Sequence, residues 1–123
     1  MLLVALGVCS ALPPYIGPTI GLELDVSSAT EVVDHVLPSL VVIGFGGLAG
    51  WLARTGSEGS ALDVFAVGMC FLAGAWSTLT HLPLWFDAGQ SDTPWGSVIL
   101  HGTLGPILTV LSGWLLLRAT EGE

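Results

Sequence analysis

Four long stretches of this 123-residue chain carry no Asp, Glu, Lys or Arg: residues 1–22, 36–53, 64–86 and 93–117. Each is close to the roughly 20 apolar residues that a helix needs to cross a ~30 Å hydrocarbon layer. In such a layer the backbone must satisfy its own polar groups, so the runs are expected to be helical. With 52% hydrophobic and 10% charged residues and a mean hydropathy of +0.82, too few polar groups remain to cover a soluble domain. The expected fold is an all-α integral membrane protein with one transmembrane domain over residues 1–123. Its helices, at about 2–20, 32–53, 61–85 and 95–118, form a four-helix up-down bundle with short loops.

Punctuation between the runs supports these bounds. Pro13-Pro14 and Gly17-Pro18 should kink or end the first helix early, because proline removes a donor and clashes with the preceding turn. That run is expected to be a retained helix. It lacks the basic start of a signal peptide, and prolines stand where a small-residue cleavage site would fall. Ser28 or Thr30 can cap the second helix, with Glu31 in its first turn. Thr55 to Ser60 is a Gly/Ser turn with Ser60 as N-cap of the third helix, and Asp87 to Pro94 is the last loop.

The only cations, Arg54 and Arg118, end helices two and four, which an up-down topology puts on one side. The positive-inside rule makes that side cytoplasmic, together with both termini. Glu23, Asp25, Glu31, Asp34, Asp87 and Asp92 then form acidic outer loops of a cell-membrane protein, with Trp85 and Trp95 beside them. Trp51 and Trp114 approach the inner boundary. Ten acids against two arginines and no lysine exclude a nucleic-acid interface. The same acidic bias resembles proteins of high-salt environments. Cys9 and Cys70 lie in apolar runs and form no C-x-x-C pair, so they are expected to be small hydrophobes.

The candidate site rests on His35, His81 and His101, which this topology brings to similar depth near the outer face. Ionisable side chains in membrane spans are costly and commonly functional. Small residues continue the stripe below each one: Ser39, Gly46 and Gly50; Ser77, Gly74 and Cys70; Gly105 and Ser112 with Ser97 above. Such stripes allow close helix approach, so the histidines are expected to point inward. Pro38, Pro83 and Pro106 leave the carbonyls of Asp34, Leu79 and Gly102 without their helical donors at the same level.

Four roles for the histidines stay open, one of them a pH-sensitive interface, because imidazole titrates near neutrality. His35, His81 and His101 could hold zinc or copper, with Asp34 orienting or joining the set. His81 and His101, the deeper two, could ligate a b-type haem between adjacent helices. Alternatively, each ring could hydrogen-bond a neighbour and fix helix register. Phosphate loops, G-x-S-x-G and H-E-x-x-H are absent, and no carboxylate falls mid-span. The expected role is therefore a small accessory or structural subunit of a larger membrane complex or envelope, without catalytic activity of its own. Besides lipid, its partners would be other membrane subunits or further copies of itself. It would pack through the Gly46, Gly50, Gly74 and Gly105 faces, although these glycines could equally serve packing inside the bundle. The alternative is a haem- or metal-binding electron-transfer subunit.

Overall fold

A computed structural model of the protein describes residues 1–12, 29–88 and 95–121, and side chains throughout these except at 31, 96, 97, 100 and 101. The expected second half of helix one, most of the linker before helix two and the loop at 89–94 lie outside the described residues. Among the described residues the protein is all-helical. Helix α1 is Leu2–Ala11, α2 is Val32–Arg54, α3 is Ala61–Asp87, α4 is Trp95–Gly102 and α5 is Leu104–Glu121. Two of them, α2 with 23 residues and α3 with 27, are long and apolar enough to cross a membrane. At 1.5 Å per residue they measure about 35 and 40 Å. The ten residues of α1 cover only about 15 Å.

Proline shapes two of these elements. Helix α2 opens with a π-helical turn, Val32–Val36, before becoming regular at Leu37–Arg54. Pro38 stands two residues after this turn and has no N–H for the Asp34 carbonyl, so the regular ladder is interrupted there in any case. The single helix expected over 95–118 is instead two, broken at Thr103. Pro106 cannot donate to the Gly102 carbonyl; the Trp85 indole N–H does so from α3, at 3.3 Å. The Thr103 hydroxyl donates to the Ile99 carbonyl, and Ile107 N–H resumes the ladder by donating to Thr103 O at 3.1 Å. By contrast Pro83 leaves α3 continuous to Asp87.

The connection between α2 and α3 is built by its own chemistry. Gly56 and Gly59 have φ of +73° and +74°, a left-handed conformation that favours glycine. The Ser60 hydroxyl caps α3 by accepting from Asp63 N–H at 3.3 Å, and the buried Asp63 carboxylate accepts from Gly59 N–H at 3.0 Å. This reciprocal arrangement satisfies donors the helix start leaves open.

Helix α3 packs between α2 and α5, and α1 closes the ring against the same two helices. The closest approach is between α3 and α5. A Cβ on Gly74 would lie 2.8 Å from Thr109 N, and one on Gly105 would lie 2.7 Å from Thr78 N. The two helices run antiparallel, so each contributes a glycine facing the other's threonine. The Thr78 and Thr109 hydroxyls meet at 3.0 Å and each donates back to its own helix, to Gly74 O at 2.8 Å and Gly105 O at 2.9 Å. Two protons are shared among these three contacts. A second close contact joins α1 to α2, where a Cβ on Gly46 would meet Leu3 Cβ at 2.8 Å and one on Gly7 would meet Ile43 Cγ1 at 2.9 Å. Gly50, next along, lies beside Met1. Packing inside the bundle was one of the two roles expected of these glycines. Gly46, Gly74 and Gly105 are buried within the chain, since the space a Cβ would need is filled by its own helices.

Leu3, Val42, Cys70, Ala73 and Leu108 form the central core, and Ala49, Ala66 and Val67 a smaller cluster toward the Arg54 end. Around them many large apolar side chains are exposed while several polar ones are buried. Leu40 is 61% exposed and Val110 73%, while Ser39 is 1% and Ser112 0% exposed. In water, that much contiguous apolar surface would drive association.

The crossing predicts a sharp difference between glycines. Gly105→Ala should cost about 1–3 kcal/mol, because the new methyl meets backbone that cannot yield. Gly44→Ala, whose Cβ would enter open space, should change stability by less than about 1 kcal/mol. Unfolding midpoints in detergent report both, and equal losses would contradict the crossing.

Candidate functional site

The polar interior concentrates at the end of the bundle where α2 begins and α3 ends. His35 sits inside the π-helical turn of α2 and His81 near the end of α3; they are 5% and 6% exposed. Their rings meet edge to face, with centroids 4.8 Å apart and planes at 68°. The structure therefore brings together two of the three histidines singled out from sequence. The third, His101, lies on α4 directly before Gly102, whose carbonyl is tied to Trp85 one turn beyond His81. The His101 side chain is outside the described residues.

The surroundings of His81 determine which nitrogen carries its proton. Nδ1 lies 2.7 Å from Ser77 O and 3.0 Å from Thr80 Oγ1. A carbonyl oxygen can only accept, so Nδ1 carries a proton and donates it. Thr80 fits this assignment, because its own hydroxyl donates to Ser77 O at 3.3 Å and leaves its oxygen to accept from Nδ1. A backbone carbonyl on the second ring nitrogen is also the usual support of a metal-bound histidine.

One turn deeper on each helix stand Ser39 and Ser77, 1% and 4% exposed. Neither hydroxyl has a hydrogen-bond partner among the described residues. A buried hydroxyl without a partner costs roughly 1–3 kcal/mol, so two beside the histidine pair call for an explanation. Asp34, the residue before His35, is half-buried.

Ring separation limits what this pair can hold. With metal–nitrogen bonds of about 2.0–2.1 Å, each ring centre stands roughly 3 Å from a bound ion, so opposed imidazoles have centres roughly 6 Å apart. At 4.8 Å, His35 and His81 are too close to be the two axial ligands of one haem. The distance fits neighbouring corners of one coordination sphere, roughly 100° apart at the metal. Among the described residues, no group of three His, Cys, Asp or Glu is placed to hold a metal.

The opposite end carries a cavity of about 660 Å³ between α1, α2, α3 and α5, lined in part by Asp63, Glu58, Arg118 and Trp114. Arg118 stacks over Trp114, 4.3 Å from the ring centre, and Asp63 is already occupied in capping α3. Both cysteines are free thiols; the buried Cys70 lies 3.9 Å from Val42 O, far below the histidines.

Two structural contacts were not evident from the sequence. Trp85, assigned there only to the membrane boundary, also holds the carbonyl that Pro106 leaves open. The Thr78–Thr109 pair went unnoticed, although Gly-x-x-x-Thr occurs at both 74–78 and 105–109 and marks the contact. No protein-family model matches this chain, and no curated protein or solved structure matches it either.

The proton assignment is open to direct test. Nitrogen-15 spectra of the protein in micelles should show His81 with a protonated, pyrrole-type Nδ1. An unprotonated, pyridine-type Nδ1 would refute the Ser77 bond. Trp85→Phe, which removes the N–H held by Gly102 O, should cost about 1 kcal/mol in unfolding measurements.

Proposed function

We propose that this chain is an integral membrane protein of the cell membrane, a four-helix up-down bundle serving as a small accessory or structural subunit of a larger membrane complex. The observation that carries this reading is the exposure of large apolar side chains such as Leu40, Val110 and Trp51 together with the burial of Ser39, Ser112, His35 and His81. An apolar solvent removes the penalty for the first and rewards burial of the second. Two helices are long enough to span; α1 and the broken α4–α5 pair would complete the bundle. Orientation is supported by the connection after α2, where a Cβ on Gly59 would lie 3.3 Å from Ala119 O. Arg54 and Arg118 therefore share one end, which the positive-inside rule assigns to the cytoplasm.

The accessory role is supported by how little of the described chain lies outside the helices. Its contact with other subunits, or with copies of itself, would fall on outward faces and not on the internal glycines. Gly44 on α2 and Gly68 on α3 have open space beyond them and lie among exposed Leu40, Trp51, Leu72 and Leu79. Small residues on a lipid-facing surface allow another helix to come close.

A second reading is favoured by one observation, the His35–His81 contact with its two unpartnered serines. Under it the protein binds a metal ion or a b-type haem and serves electron transfer or metal handling. A haem would use His81 and His101, since the ring separation excludes His35 and His81 as opposed ligands.

Location and orientation are tested together. The protein should stay with membranes after alkaline carbonate washing; release into the supernatant would refute the membrane reading. Ser57→Cys should resist a membrane-impermeant maleimide on intact cells and react after lysis. Labelling on intact cells would reverse the orientation.

A further inference from the structure

We infer that the cavity at the Arg118 end, with the groove that continues it between α1 and α5, binds one phospholipid with a zwitterionic, ammonium-bearing headgroup. Its phosphate is received by Arg118, its ammonium faces Glu58, and one acyl chain lies in the groove. This rests on the membrane location proposed above and adds a specific lipid site to it. Two adjoining hollows share Leu2, Leu111 and Trp114. The first, about 660 Å³, reaches the side chains of Arg118, Glu58 and Asp63. The second, about 570 Å³, is walled by apolar residues alone, adding Leu6, Pro106, Ile107 and Val110. Each falls within the roughly 300–1,000 Å³ of ligand pockets. Helix α1 packs mainly on α2, which leaves the groove beside α5. Leu2, Ile107 and Val110 are exposed, so a chain can enter it from the side.

The chemistry along α5 follows the order of a lipid. Pro106, Val110, Trp114 and Arg118 recur at intervals of four and share one face. Trp114 to Pro106 spans about 12 Å, most of the ~15 Å depth of one leaflet's hydrocarbon. Trp114 then stands at the interface, and Arg118 at the level of the headgroups. The guanidinium carbon lies 4.3 Å from the Trp114 ring centre, which steadies the planar group and leaves N–H donors for a phosphate. Neither Arg118 nor Glu58 forms an ion pair among the described residues. Charge selects the headgroup. One guanidinium shares the cavity with two carboxylates, and that of Asp63 already accepts from Gly59 N–H. A headgroup with phosphate alone would bring a third negative charge beside these two. One with phosphate and ammonium complements both signs.

The test is native mass spectrometry of the full chain released from detergent micelles, titrated with dioleoyl phosphatidylethanolamine or dioleoyl phosphatidylglycerol. One phosphatidylethanolamine per chain should be retained, about tenfold more tightly than phosphatidylglycerol. Arg118→Gln should weaken its retention about tenfold, the loss expected for one charge-assisted contact. Val110→Trp, which fills the groove away from the charged end, should weaken it as well, whereas Leu72→Trp on exposed α3 surface should not. Glu58→Gln should erase the preference between the two lipids. Arg118 and Glu58 are exposed, so their variants keep the fold. Equal retention by the wild type, Arg118→Gln and Val110→Trp would mean unspecific boundary lipid and overturn the site. So would tighter binding of phosphatidylglycerol by the wild type. A chain that resists carbonate washing yet gives either result loses the site and keeps the membrane reading; release by carbonate removes both.

Discussion

Everything at the polar end of the bundle depends on how closely the α3 and α5 backbones approach. Gly74 and Gly105 allow each helix to lie against the other's main chain, with Thr109 and Thr78 filling the reciprocal positions. The two hydroxyls then meet at the centre of the contact, each bonded to a carbonyl of its own helix, so no polar group is stranded by the approach. Under the proposed membrane location there would be no hydrophobic drive between helices, and packing and hydrogen bonds of this kind would be what holds them together. Because α3 is shared between α2 and α5, fixing its position on one side sets the depth at which His81 meets His35 on the other.

The second consequence concerns backbone carbonyls. Pro38 and Pro106 each remove a helical donor, and each is associated with a local departure from regular winding: a π-helical turn in α2 and a break at Thr103. At Thr103 the cost is offset by Trp85 from α3, which ties the short helix α4 to the end of the longest helix. At α2 the distortion surrounds His35. Both irregularities fall at the same end as the histidines, while the Arg54 end is closed by conventional capping through Ser60 and Asp63. The bundle is thus regular at one end and distorted around buried imidazoles at the other.

Much of the inward-facing pattern was legible because helical periodicity is a local property. His35, Ser39 and Gly46 are buried on one stripe of α2, and Cys70, Gly74, Ser77 and His81 on one stripe of α3. Spacing of 3.6 residues is enough to place them on a common face. Ser60 as the cap of α3 was legible for the same reason. What escaped were relations between helices. Thr78 looked like an ordinary polar residue until Thr109 stood opposite, and Trp85 had an interfacial role in sequence but a hydrogen-bonding one in space. The break at Thr103 escaped as well. Pro83 and Pro106 look alike in sequence, yet α3 runs through the first while the chain breaks near the second.

The sequence by itself determined the helical class, the faces that turn inward and the residues that terminate several elements, because propensity, periodicity and proline chemistry act within a few residues. Tertiary structure decided which stripes meet. It consumed Gly46, Gly74 and Gly105 in internal contacts, left Gly44 and Gly68 facing outward, and brought His35 to within ring contact of His81. None of these follows from composition or spacing. Each depends on the register between helices separated by many residues, and that register is set by which small side chains let two backbones close together.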